Sequence, residues 1–339
     1  MIYVDEDDPI EDDDILIPYR DVKVKHNVDP KTDYDIIKDE ELGRGSYGTV
    51  YLCREKSSGH EFAAKYVHVK NKEERRNMEN EIDIMSCLHH PRIIQLYDAF
   101  DNGKTICVML ELISGGELFE RVIDEDFVLT EKACVAFMRQ ICDGVGYIHS
   151  QSIIHLDLKP ENILCLTKTG NRIKLIDFGM ARRFDPAKKL KVLFGTPEFT
   201  APEVVNFDEI SFYTDMWSLG SICYLLLSGI SPFYGDTDLE SMTKVTVGKY
   251  DFDDEAFNNI SQDAKDFIKS LLVMDGKKRL TAAQCLEHTW LKKSPKQTTA
   301  LSTTKAKLKK FVIRKRWIKA VNTIIALQKM GAKIDFDLV

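Results

Sequence analysis

The run His155-Leu156-Asp157-Leu158-Lys159-Pro160-Glu161-Asn162 places a carboxylate, an ammonium and a carboxamide within a few positions of one another, and the apolar pair Ile163-Leu164 would anchor the cluster. Fifteen residues after Asn162 comes Asp177-Phe178-Gly179, at the end of the strand-like run Ile173-Lys174-Leu175-Ile176. These are the parts that phosphoryl transfer needs. They are a carboxylate to orient a hydroxyl, a cation for the transferring charge, and two hard-oxygen ligands for Mg²⁺. Asp177 alone reads as an ordinary turn aspartate before glycine. The order and spacing of the whole set carry the signal.

A second constellation lies upstream. Gly43, Gly45 and Gly48, followed by Val50, have the spacing GxGxxGxV between two strand-like runs. Glycines let backbone close over phosphates, and Val50 would cap a flat base. A dinucleotide fingerprint should open a helix, whereas this loop leads into a strand, so that reading is set aside. Lys65 follows in the apolar strand Phe62-Ala63-Ala64-Lys65-Tyr66-Val67, where a lysine either snorkels to solvent or acts as a point charge on phosphates. Glu81 on the next helix is its natural carboxylate partner, with Glu79 the neighbouring alternative on another helix face.

The elements that must position these residues fall into two groups. Residues 34–113 read as strand-rich, with one polar helix from Lys72 to Leu88. Residues 114–291 read as helical at 130–149, 214–228, 261–273 and 281–287, interrupted by short strands at 163–165 and 173–176. A small β-rich lobe followed by a larger helical lobe, an α+β arrangement, fits better than alternating βαβ units. No internal repeat is visible. Residues 1–33 read as an acidic, flexible extension, with eight acidic residues among the first 14, and order is expected to begin near Tyr34. Residues 292–304 read as a polar linker, 305–331 as an amphipathic helix and 332–339 as the end of the chain.

The 339 residues are 44% hydrophobic and 30% charged, which excludes a wholly disordered chain. The net charge of -7 conceals a division: residues 1–287 sum to -18 and residues 288–339 to +11. An acidic body with a basic tail implies an anionic partner for the tail, or the body itself. The eight cysteines form no CxxC and sit in apolar runs, as reduced thiols would. No apolar run reaches the ~18 residues of a membrane span, and no signal peptide is visible.

Together these motifs, with Ala201-Pro202-Glu203 and Asp215-Met216-Trp217-Ser218-Leu219-Gly220, resemble the eukaryotic protein kinase family from about Tyr34 to Leu291. The resemblance implies ATP and Mg²⁺ between the lobes. Asp157 would be the catalytic base, Lys159 would stabilise the γ-phosphoryl group, and Asn162 and Asp177 would hold the metal. Lys65 would contact the α/β-phosphates and pair with Glu81. Leu42, Val50, Ala63 and Leu164 would line the nucleotide site, and the hinge from Glu111 to Ile113 would offer backbone groups to adenine. Glu203 and Arg279 would form a buried pair. Glu117, Glu120 and Glu161 match positions that meet basic substrate residues, with Glu117 alternatively on the ribose. Lys159 favours a Ser/Thr acceptor. Two departures agree with each other. Leu156 replaces the Arg that clamps a phosphorylated activation loop, and no Ser, Thr or Tyr lies between Phe178 and Gly195. Thr196 remains, matching a structural Thr that faces the catalytic Asp, so control is expected elsewhere.

That control element is expected in the tail. Residues 305–334 hold ten basic and no acidic residues, and Leu308, Phe311, Val312, Trp317, Val321, Ile324, Ile325 and Met330 recur at helical spacing. A basic amphipathic helix reads as a calmodulin target, a membrane-surface helix, or a helix docked permanently on its own body. No Ser, Thr or Tyr lies between Lys305 and Asn322, so this stretch could fill a basic-substrate groove without being phosphorylated. Lys309-Lys310-Phe311 followed by Trp317, with Gly195-Thr196-Pro197-Glu198-Phe199 and Pro202-Glu203-Val204-Val205-Asn206, is similar to the myosin light chain kinase family and its twitchin, titin and death-associated relatives. That resemblance implies Ca²⁺-loaded calmodulin as partner, anchored by Trp317, Val321, Ile324 and Met330, and myosin regulatory light chain as substrate. A cytoplasmic, actomyosin-associated monomer without nucleic-acid partners is expected. The rival expectation is a kinase-fold scaffold or stretch-sensing module of a larger muscle protein.

Overall fold

The structure, a computed structural model, describes Val4 and residues 17–45, 48–192, 195–293 and 299–329, with side chains as far as Val321. The acidic block of the first 14 residues lies, apart from Val4, outside the described residues, as do Ser46 and Tyr47 of the glycine loop.

The small lobe is one six-stranded sheet containing β1 (Lys25–His26), β2 (Tyr34–Gly45), β3 (Gly48–Glu55), β4 (Glu61–His68), β5 (Leu96–Asp101) and β6 (Thr105–Glu111), ordered β1-β5-β6-β4-β3-β2. Side chains alternate across a strand, so β4 divides its residues between two faces. Phe62 and Ala64 join Tyr34, Cys53, Tyr97 and Met109 in a core on one side. Ala63, Lys65 and Val67 therefore point to the other, which is covered by helix α1 (Lys72–Ser86). Helix α1 is capped by Asn71, whose carboxamide oxygen accepts from the Glu74 amide at 2.9 Å. Met78, Glu81, Ile82 and Met85 form its buried stripe at i, i+3, i+4 and i+7. Glu81 is thus a carboxylate built into the apolar face of the helix.

The large lobe gathers α2 (Leu118–Ile123), α3 (Glu131–Ser150), α4 (Pro202–Val205), α5 (Phe212–Ser228), α6 (Asp238–Val247), α7 (Gln262–Leu271), α8 (Ala282–Glu287) and α9 (Thr289–Lys292). Helix α5 is buried from Thr214 to Ser228, opens with a Ser211/Thr214 capping box and stops at Gly229 with φ 78. Two short antiparallel ribbons lie between the lobes' helices and the cleft. One pairs β7 (Ile153–Ile154) with β10 (Arg182–Arg183), the other β8 (Ile163–Cys165) with β9 (Ile173–Leu175). The eight cysteines are free thiols, and all but Cys87 are buried. No helix among the described residues is long and apolar enough to cross a membrane.

Two boundaries differ from expectation. Order begins well before Tyr34: β1 pairs in parallel with β5, Arg20 makes a bidentate pair with Glu55 at 2.6 and 2.9 Å, and Lys25 reaches Asp98 at 2.6 Å. Glu55 and Asp98 are nearly buried carboxylates, so residues 17–33 neutralise charges that the sheet would otherwise leave unpaired. A two-residue parallel strand has no pattern that a sequence can announce. The polar stretch 292–304 also ends as packed structure. Leu301 and Thr304 are buried, the Leu301 amide donates to the Leu129 carbonyl at 2.8 Å, and helix α10 (Ser302–Lys329) starts three residues before position 305.

Candidate active site

The register of the sheet places Lys65 opposite Val50 on one side and Val108 on the other. Its ammonium lies 2.8 Å from Glu81 Oε1, with both side chains mostly buried. Glu79 instead faces outward, 3.9 Å from Arg75, which settles the choice between the two glutamates. The glycine loop closes the β2–β3 hairpin, with Gly43 opposite Val50 and Gly45 opposite Gly48. Gly48 has φ 137, and a Cβ there would collide with the Tyr66 carbonyl, so only glycine fits. Leu42 is about half exposed at the lip, whereas Ala63 is buried on the cleft face.

The catalytic loop hangs from a buried carboxylate. Asp215, in α5, accepts from the His155 amide at 2.9 Å and the Leu156 amide at 2.8 Å, and lies 2.8 Å from His149 Nε2. Burial pushes this carboxyl up, but His149 and the His155 amide outweigh it and hold the group below its ordinary value. Leu156 takes φ 66 in consequence of this turn. Asp157 Oδ2 then accepts from Lys159 Nζ at 2.7 Å and from Asn162 Nδ2 at 3.0 Å, and its carbonyl accepts from the same Nδ2 at 2.8 Å. Burial lowers the Lys159 ammonium pKa, but Asp157, Glu161 and Asp177 more than restore it, so it remains a cation.

Asp177 sits at φ 67, and its Oδ1 accepts from the Gly179 amide at 3.3 Å. Phe178 behind it is fully buried against the His155 ring at 4.9 Å. Asn162 commits its carboxamide nitrogen to Asp157, and among the described residues no hydrogen bond takes its oxygen or Asp177 Oδ2. Two hard oxygen donors from β8's approach and β9's exit suit Mg²⁺ carrying its own phosphate and water oxygens. The hinge residue Glu111 turns its side chain to Lys174 at 2.8 Å, and Ile113 and Leu164 are half-buried beside it. The pair Glu203–Arg279 forms as expected, bidentate at 2.8 and 2.9 Å, with Arg279 also donating to the Tyr213 carbonyl.

Helix α10 lies over acidic side chains of the large lobe. Arg316 Nη2 lies 2.5 Å from Glu120 Oε1, Lys315 2.8 Å from Glu198, and Lys307 2.6 Å from Asp254. Arg314 stacks over the Tyr234 ring at 3.9 Å. Leu308, Phe311 and Val312 are buried, and Thr304 Oγ1 donates to the Leu227 carbonyl at 2.9 Å. Burial, with Glu120 and Glu161 nearby, pushes the Glu117 carboxyl up to about 7, against the pull of Lys319 and Arg316. Glu198 and Asp254 were not legible as partners of the tail; the surplus of acid on the body was the only sign of them. Thr196 lies in the turn whose carbonyl accepts from Phe199, and among the described residues no hydrogen bond joins its hydroxyl to Asp157. Past these contacts the helix leaves Trp317 71% exposed, with Ile313 and Ile318 also exposed. Val321 is half-buried. The Ile324 side chain and Met330 lie outside the described residues.

Comparison with known proteins gives a consistent result. The protein kinase domain family matches residues 36–291. The chain is 51% identical over 316 residues to smooth-muscle myosin light chain kinase of Gallus gallus, covering 93% of this chain and 16% of that protein. It is 56% identical over 252 residues to myosin light chain kinase 3 of Danio rerio, covering 74% of this chain and 35% of that one. The chain therefore spans well under half the length of these relatives. Among solved structures, the twitchin kinase region of C. elegans aligns with TM-score 0.84 and 41% identity over 89% of this chain and 54% of that one. The autoinhibited serine kinase domain of titin aligns with TM-score 0.76 and 37% identity over 82% and 87%.

Proposed function

Since this chain belongs to the protein kinase domain family, we propose that it is a Ca²⁺/calmodulin-activated serine/threonine kinase acting on myosin regulatory light chain and held off by its own tail. Asp157 presents Oδ1 to the acceptor hydroxyl, because Oδ2 already takes the Lys159 and Asn162 hydrogen bonds. As the hydroxyl oxygen bonds to the γ-phosphorus, the bond from that phosphorus to the β–γ bridging oxygen breaks, ADP leaves with the electron pair, and the hydroxyl proton passes to this carboxylate. Lys159, kept cationic by its neighbours, faces the charge spread over the transferring group. Lys65, steadied by Glu81, holds the α/β-phosphates, and the Gly43–Gly48 hairpin covers them. Mg²⁺ held by Asn162 and Asp177 would neutralise phosphate charge. Glu117, Glu120 and Glu161 line the path by which a basic acceptor peptide approaches.

The observation that carries the regulatory reading is the seat of α10. Its guanidinium and ammonium groups take the groove carboxylates Glu120 and Glu198, and Lys305 to Asn322 offers no acceptor hydroxyl. Calmodulin would recognise the exposed Trp317 face and lift the helix. Moving an equilibrium from 1% to 99% open requires about 5.5 kcal/mol of preference for the open state. Likeness to twitchin and titin kinase regions favours a second reading, a kinase-fold module whose main task is mechanical.

The test is phosphorylation of regulatory light chain by the full chain and by a chain ending at Thr304, each with and without Ca²⁺/calmodulin. The proposal expects a silent full chain, switched on by calmodulin to the level of the truncated one. Silence of all four reactions on light chain and on basic peptides would hand the function to the mechanical reading.

A further inference from the structure

The catalytic pair Lys65–Glu81 is closed while the tail is docked, although the activation segment has no hydroxyl between Phe178 and Gly195 to carry a phosphate. Kinases that use a phosphate there order the segment and position the helix bearing the glutamate through arginine contacts to it. Something in this chain must supply the same restraint. Helix α1 meets the segment just after Asp177-Phe178-Gly179 at three side chains. Asn80 Nδ2 donates to the Ala181 carbonyl at 3.1 Å. Arg183 donates to Asp83 Oδ2 through Nε at 3.0 Å and Nη2 at 2.8 Å, and Nη2 also lies 3.4 Å from the Asp83 carbonyl. Asn80 and Asp83 flank Glu81 in the helix.

The same short stretch is fixed from its other side. Arg182 and Arg183 form β10, in antiparallel register with Ile154 and Ile153, the strand that leads into His155 and Asp157. The Phe184 amide donates to the Ser152 carbonyl at 2.7 Å. Strand β10 therefore stands between the catalytic loop and α1, and its Arg183 is the side chain that spans the remaining gap. A two-residue ribbon plus a guanidinium fork joins Asp157, Asp177 and Glu81 into one frame.

We propose that Arg183, with Asp83 and Asn80, is a positioning device that holds α1 and Glu81 in the closed arrangement in place of an activation-loop phosphate. The catalytic machinery is then assembled before the tail leaves, and release of the groove is sufficient for activity. The catalytic consequence rests on the phosphotransfer reading above, while the clamp itself is a property of the fold.

The test uses the full chain and two variants, Arg183→Ala and the exchanged pair Asp83→Arg with Arg183→Asp. Both sites are half-exposed, so the lobes should fold. Hydrogen exchange should rise about fivefold in residues 72–86 of Arg183→Ala, without a rise in α3 or α5, and return to within about twofold of the parent in the exchanged pair. With calmodulin and a basic peptide, kcat should fall at least about threefold in Arg183→Ala while the peptide KM is unchanged. Unchanged exchange in 72–86, or an equal rise in α3 and α5, would overturn the proposal. A parent that phosphorylates nothing would sink the kinase reading alone, because the exchange data still decide the clamp.

Discussion

Glu117 stands between two kinds of neighbour. Burial and the carboxylates of Glu120 and Glu161 raise its pKa to about 7, while Lys319 and Arg316 of the tail draw it back down. Its folded value lies above the ordinary 4.5, so the folded chain binds the proton more tightly than the unfolded one. The contribution of this group to stability is therefore full below about pH 4.5 and is lost as pH rises through about 7. In Glu117→Gln, the fall in urea midpoint between pH 5 and pH 7 should be smaller than in the parent. An identical slope in both would place the titration elsewhere. At this scale the sequence was most legible: Lys65 pairs with Glu81, and Asp157 gathers Lys159 and Asn162. The choice of Glu81 over Glu79 followed from helix faces, and the structure agrees. What spacing could not give was the use of each oxygen, such as Asp157 Oδ2 taking both hydrogen bonds.

Helix α10 works as two half-helices with different surroundings. Its first half buries Thr304, Leu308, Phe311 and Val312 against the large lobe, where Gly229 at φ 78 leaves no room for a Cβ beside the Thr304 carbonyl. Its second half leaves Trp317 and Ile318 in water. The halves should respond oppositely to truncation. Leu308→Ala removes a fully buried side chain at a cost of about 2–5 kcal/mol. That cost falls on docking, so basal phosphorylation without calmodulin should rise at least about tenfold toward the level of the chain ending at Thr304. Trp317→Ala should leave thermal stability within about 0.5 kcal/mol of the parent. It should weaken calmodulin binding by at least about thirtyfold, as loss of a central aromatic anchor does, which titration calorimetry would read. A nearly unchanged affinity would remove Trp317 from that role.

Across the whole molecule, the body at -18 and the tail at +11 attract one another, and the helix lies where the charges meet. The contacts include Lys307 with Asp254 and Glu255, Arg314 and Lys315 with Glu198, and Arg316 with Glu120. The Debye length shrinks from about 10 Å at 0.1 M salt to about 3 Å at 1 M. Basal activity of the full chain should therefore rise with salt relative to the truncated chain, measured side by side on one neutral-charge peptide. A ratio independent of salt would assign docking to the Leu308–Val312 apolar contacts alone. The Lys65–Glu81 pair stands intact while the tail lies on the large lobe.

The sequence alone determined the two-lobed order of elements, the polar cluster around Asp157 and the basic helix at the end, because each is written in local period, spacing or charge. The tertiary structure decided what depends on partners remote in the chain. Residues 17–33 pack on the sheet, with Lys25–His26 pairing as a strand and Arg20 and Lys25 reaching Glu55 and Asp98. Glu198 and Asp254 become partners of the tail only when α10 lies over them. Arg183 acquires its meaning from Asp83, a hundred positions away. A two-residue strand and a single arginine have no periodicity, so only the fold could assign them.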